Sequence, residues 1–174
     1  MLKTLAITFT LALTACLAAA DQSATVNKAV AVLEAKGDGS EVKGTVTFTT
    51  VSGGVRIVAD VYNLTPGKHG FHVHDKGDCS AHDGSSAGGH FNPTNTKHGG
   101  PDSAERHVGD MGNLVADAQG HAHYDRVDDL MQLNGPDTIV GRSVIVHADP
   151  DDLTTQPTGN SGARIACGVI ESAQ

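Results

Sequence analysis

Histidines set the chemistry of this sequence: it holds 10, and seven of them fall between His69 and His107. His72-Val73-His74 is the tightest group. In an extended chain residues i and i+2 point to one face, so both imidazoles can reach one metal ion while Phe71 and Val73 turn to the core. A single His-x-His is weak, because paired strand histidines are common. Here His90, His98, His107 and Asp110 follow it in a stretch full of Gly and Pro. Three imidazoles and a carboxylate suit tetrahedral zinc. A planar set of imidazoles suits copper(II), and His147, after Val144-Ile145-Val146, offers a further nitrogen. Spacing alone leads to one or two transition metal ions. His121-Ala122-His123 repeats the His-x-His spacing with no third ligand nearby, and His82 follows Cys79; both read as solvated surface. Gly159-Asn160-Ser161-Gly162 lacks the second spacing glycine of a nucleophile elbow, which argues against a serine hydrolase.

These side chains need a scaffold, and the pattern around them is that of strands. Val42, Gly44, Val46 and Phe48 alternate onto one face, as do Val55, Ile57, Ala59 and Val61, with a hairpin turn at Val51-Ser52-Gly53-Gly54. Lys28–Glu34, Gly70–Asp75, Asn113–Asp117, His121–Val127, Ile139–His147 and Arg164–Ile170 complete a set of eight. No 3.6-residue period is sustained, and Asp128–Leu133 allows at most one helical turn. An all-β antiparallel sandwich or barrel follows. Two long connections, Lys76–Gly112 and Asp149–Ala163, interrupt it, and loops of that length in a compact domain are usually functional.

Composition narrows the partners. Against 12 Lys and Arg stand 20 Asp and Glu, a formal charge of −8, which argues against a nucleic-acid binder with its basic face or arm. The one long apolar run is N-terminal: Met1-Leu2-Lys3, then Leu5 to Ala20 without a charge, ending in Ala18-Ala19-Ala20. Residues 1–20 read as a secretory signal peptide, 21–27 as a tether and 28–174 as the folded domain. Cleavage there leaves Cys79 and Cys167, an even pair that reads as one disulfide in an oxidising compartment. Leu13-Thr14-Ala15-Cys16 also fits a bacterial lipobox. On that reading the signal is 1–15, and acylated Cys16 is the only route by which the chain holds to a membrane.

Five blocks resemble the copper–zinc superoxide dismutase family: Gly70–His74, Ser86–Pro93, Lys97–Pro101, Glu105–Asp110 and Gly162–Ile170, within a match from Val30 to Ile170. The resemblance implies a Greek-key barrel with one copper and one zinc ion per subunit. It implies copper on His72, His74, His90 and His147, zinc on His90, His98, His107 and Asp110, and His90 as the bridge between them. Asp151 would join His72 to His98, and His69 would brace the site. Cys79–Cys167 would tie the metal loop to the last strand. The implied activity is dismutation of superoxide, with Arg164 docking the anion and His90 carrying a proton. The alternative is a copper or zinc carrier of the same fold without catalysis, which has no need of Arg164 or of a bridging His90. Leu153–Ser161 has no charged residue, unlike animal members that steer with lysines there, so Lys76 is the steering candidate. This loop and the leader together resemble the bacterial periplasmic branch, whose members are homodimers or monomers.

Overall fold

A computed structural model describes residues 25–173; the leader, with Cys16 and both cleavage readings, lies outside the described residues. Eight strands run in chain order: β1 Lys28–Ala35, β2 Lys43–Val51, β3 Gly54–Tyr62, β4 Gly67–His74, β5 Asp110–Ala116, β6 Ala122–Asp128, β7 Ser143–His147 and β8 Arg164–Ala173. These strands pair antiparallel throughout, in the order β5-β4-β7-β8-β1-β2-β3-β6. The outer strands β5 and β6 are joined by the short turn 117–121 and face each other, so the sheet curls into a nearly closed barrel. Closure leaves few open edges.

Alternation puts the aliphatic set inside: Ala29, Ala31 and Leu33 of β1, Val46 and Phe48 of β2, and Val55, Ile57, Ala59 and Val61 of β3 are all buried. With three per cent aromatic residues the core is aliphatic, and Phe48, Phe71 and Phe91 are its largest buried side chains. β4 differs from β1–β3. From His69 to His74 it is buried on both faces, because Phe71 and Val73 pack into the core while the two long loops cover the other side.

The strand expectations hold with shifts at the ends. β7 begins at Ser143 rather than at residue 139, because Gly141 turns the chain at φ 82° and Arg142 N–H donates to the Ile139 carbonyl. Residues 129–133 form bends with no helical turn, whereas a short 3-10 helix, unexpected from the sequence, spans Ser85–Ala87 in the first long loop. Cys79 and Cys167 are bonded, with Cα atoms 5.8 Å apart and a separation of 88 positions in sequence. That bond ties this loop to β8.

Candidate metal centre

The first long loop is stitched to β4 by a run of backbone hydrogen bonds. Val73 N–H donates to the Gly109 carbonyl at 2.9 Å, Phe91 N–H to the Val73 carbonyl at 2.8 Å, and Gly109 N–H to the Phe91 carbonyl at 2.9 Å. A Cβ on Gly109 would lie 2.2 Å from the Val73 oxygen, so only glycine fits. This stitching brings His90 beside His72 and His74, and β7 delivers His147 from the neighbouring strand. One ligand atom from each of His72, His74, His90 and His147 lies within 4.8 Å of the others. A second set with the same property is His90, His98, His107 and Asp110, so one imidazole belongs to both. All seven side chains are buried.

Apart from His107, each ring has one nitrogen held by the protein and another left over. His72 Nε2 faces Asp151 Oδ2 at 2.8 Å, His74 Nδ1 the Gly88 carbonyl at 2.9 Å, and His147 Nδ1 the Gly162 carbonyl at 3.3 Å. His72 Nδ1, His74 Nε2, His147 Nε2 and His90 Nε2 have no hydrogen-bond partner among the described residues. In the second set Asp110 Oδ1 lies 2.9 Å from His90 Nδ1, 3.0 Å from His98 Nδ1 and 3.2 Å from His107 Nδ1. His98 Nδ1 and His107 Nδ1 there have no hydrogen-bond partner among the described residues. Buried polar atoms without partners are costly, and a divalent ion at each cluster removes the cost. The residues therefore fit two metals: an all-imidazole set suited to copper, and an imidazole–carboxylate set suited to zinc.

Electrostatics keep the ligands in their binding forms. Burial lowers His90 to about 4 and His147 to about 3, and pushes His72 and His74 down as well, so these rings are neutral at pH 7. Burial opposes ionisation of Asp110 and Asp151, but the surrounding imidazoles outweigh it and hold both carboxylates well below their usual range. Burial also works against a charged His98, yet hydrogen bonds to Asp110 and Asp151 raise it to about 9 in the metal-free protein.

Outside the ligand sets, Asp151 spans His72 and His98, with His98 Nε2 at 3.0 Å from Oδ1. His69 lies between the carbonyls of His147, 2.9 Å from Nδ1, and Thr65, 2.8 Å from Nε2. Arg164 donates to the Gly84 carbonyl at 2.7 Å and the Gly88 carbonyl at 2.6 Å, so Gly88 orients both this guanidinium and the His74 ring. Lys76 is exposed, with its stem beside Gly88.

Sequence reading missed two amides. Asn113 grips Asp151 through both backbone groups, at 2.9 and 2.7 Å. Gln156, in the uncharged loop, grips His98 in the same way, at 2.8 and 2.9 Å. It also missed Gly159, where a Cβ would fall 1.8 Å from Asp151 Oδ1. An amide in a polar loop carries no signal of its own until the fold sets it against a backbone. The structure corrects one further expectation. His121 and His123 do have a third polar group beside them, Asp60 of β3.

Two ligand sets sharing one imidazole, carried by a Greek-key barrel, define a dinuclear metalloprotein of the copper–zinc type. The chain belongs to the copper/zinc superoxide dismutase family, whose model matches residues 42–170. It is 50% identical over 150 residues to the "Superoxide dismutase [Cu-Zn]" of Paramecium bursaria Chlorella virus 1, covering 82% of this chain and 76% of that one. The "Extracellular superoxide dismutase [Cu-Zn]" of Brugia pahangi is 46% identical over 151 residues, 82% of this chain and 74% of that protein. Among solved structures, the clock protein EA4 superposes with a TM-score of 0.80 at 40% identity, over 89% of this chain and all (100%) of that one.

Proposed function

We infer that the protein catalyses the dismutation of superoxide, in which two superoxide anions and two protons become oxygen and hydrogen peroxide. The observation that carries this reading is the joint anchoring of a copper-type ligand and a cation: the Gly88 carbonyl holds both His74 and Arg164. A carrier needs the ligands but has no use for an arginine pinned beside them. When bound, copper on His72, His74, His90 and His147 supplies a one-electron couple, and zinc on His90, His98, His107 and Asp110 supplies fixed positive charge. Arg164 docks the anion; burial lowers its pKa and Asp83 works against that, and a guanidinium is a permanent cation. His90 handles the proton at Nε2, the atom that has no protein partner, while Nδ1 is turned to Asp110. Asp151 fixes the tautomer of one ring in each set, and His69 braces β4 against β7.

The disulfide and the extracellular relative favour a compartment outside the cytoplasm. The finer reading is a periplasmic enzyme of the bacterial branch, with residues 1–20 removed, or 1–15 if Cys16 is acylated. Residues 21–27 then form a tether and 28–174 the catalytic domain, as a monomer or homodimer. The leader and the charge-free loop 153–161 support it. Metal analysis of the purified protein with a superoxide-decay assay tests the function. One copper and one zinc per chain with rapid decay is expected, and the same metals without decay favour the carrier. Intact mass from the native host separates a free Asp21 from an acylated Cys16.

A further inference from the structure

The turn from β5 to β6 brings the second His-x-His into the open. His121 precedes β6 and His123 lies on it, where the antiparallel register sets His123 against Asp60 of β3. Asp60 Oδ1 lies 3.2 Å from His121 Nε2 and 2.9 Å from His123 Nδ1. Tyr62 lies flat on the His121 ring, centroids 4.6 Å apart and planes within 9°, so this ring is already held in position. The side chains of His121, His123 and Asp60 are 36%, 55% and 44% exposed, open to a hydrated ion.

We propose that His121, His123 and Asp60 form a third metal site, outside the buried pair, which takes a divalent transition metal ion and copper(II) most tightly. Nitrogen and oxygen ligands about 2.0–2.2 Å from one ion lie about 3–3.5 Å from each other, and two of the three ligand–ligand edges already have that length. His121 stays on Tyr62, so His123, the more exposed ring, turns to close the third edge, and water fills the open positions. Two imidazoles and a carboxylate accept several divalent ions, with copper(II) the strongest by the general order of affinity. The chain's formal charge of −8 favours cation capture. Asp110 opens β5 and the site follows its far end, so at about 3.3 Å per residue the two lie about 20 Å apart. At that distance an ion here takes no part in turnover.

The test titrates copper(II) into protein already loaded with copper and zinc and cleared of free ions, followed by electron paramagnetic resonance and tyrosine fluorescence. The sequence has no Trp and two Tyr, and Tyr124 is partly buried with its hydroxyl donating to the Met111 carbonyl, so Tyr62 is the local reporter. One further copper per chain is expected, with its own resonance signal and quenching of Tyr62. The double variant His121→Ala, His123→Ala loses that ion, and Asp60→Asn weakens it by about tenfold. Tyr62→Phe keeps the ion and loses the quench. Superoxide decay is unchanged in all of these. A loaded protein that takes up no further copper, or a double variant that titrates like the parent, overturns the proposal. The buried metals are counted before the titration begins, so this failure is distinct from failure of the dismutase reading.

Discussion

At the scale of single residues, each imidazole in the buried cluster is defined by what holds its other nitrogen, and that division predicts selective loss. His147 belongs only to the first ligand set, and its sole anchor is the Gly162 carbonyl. His147→Ala should therefore remove copper and activity while zinc stays, as metal analysis of the variant will show; retained dismutation would mean the copper set is wrong. The same burial predicts a pH profile for the metal-free protein. His90 and His147 titrate near 6.5 in the unfolded chain but at about 4 and about 3 when folded. As pH falls through 6.5 the unfolded chain gains protons that the fold refuses, so stability drops across that window. Asp110 and Asp151, with lowered pKa values, contribute stability above about 3.8 that is lost as pH falls further. His98 has the opposite sign: raised to about 9, its contribution is full below 6.5 and lost as pH rises through 9. Thermal midpoints of the metal-free protein should peak near neutrality and fall towards pH 4. The metal-loaded form should fall less, since bound ions compete with the protons. A midpoint flat from pH 7 to 4 would remove burial as the source of these shifts.

At the scale of elements, the loop bearing His90, His98 and His107 is irregular chain held to the barrel at a few strong points. Arg106 is one. It is buried, and its guanidinium lies 2.9 Å from Asp128 at the end of β6 and 3.0 Å from Asp129. Removing one partner of a buried pair strands the other charge, at about 3 kcal/mol. Arg106→Ala should thus lower the thermal midpoint by about 6–12 °C and loosen zinc before copper, read by calorimetry and by chelator release. An unchanged midpoint would place the anchoring elsewhere. This loop also marks the limit of what the sequence discloses. β1, β2 and β3 were legible because a half-buried strand writes its burial into alternation. The ligands were legible because few roles need so many imidazoles in one stretch. The anchors were not: Gly109 matters only because Val73 lies against it, Asn113 because Asp151 meets it from 38 residues away, and Asp60 because register brings it to His121 and His123. Such contacts depend on topology, and local pattern carries no trace of it.

At the scale of the whole molecule, an anionic enzyme must attract an anionic substrate. The formal charge is −8, and the loop from Asp149 to Ala163 contributes three aspartates and no cation. Arg164, the proposed docking group, is half-buried and on that reading would act at short range. Asp83 acts on Arg164 electrostatically, so an acidic group stands at the approach to the docking cation. Lys76 is exposed on the segment just after His74, at the other side of Gly88, where it can add positive potential to that approach. Surface charges of this kind act on the encounter rate, and salt screens them within about 10 Å at 0.1 M. Lys76→Gln should therefore slow superoxide decay at low ionic strength and flatten its salt dependence, while metal content stays the same. Asp83→Asn should do the reverse, raising the low-salt rate and steepening the decline. The rates of all three proteins should converge near 1 M salt, where the screening length is about 3 Å. Parallel salt slopes for parent and Lys76→Gln would remove Lys76 from this role and place the long-range attraction elsewhere on the molecule.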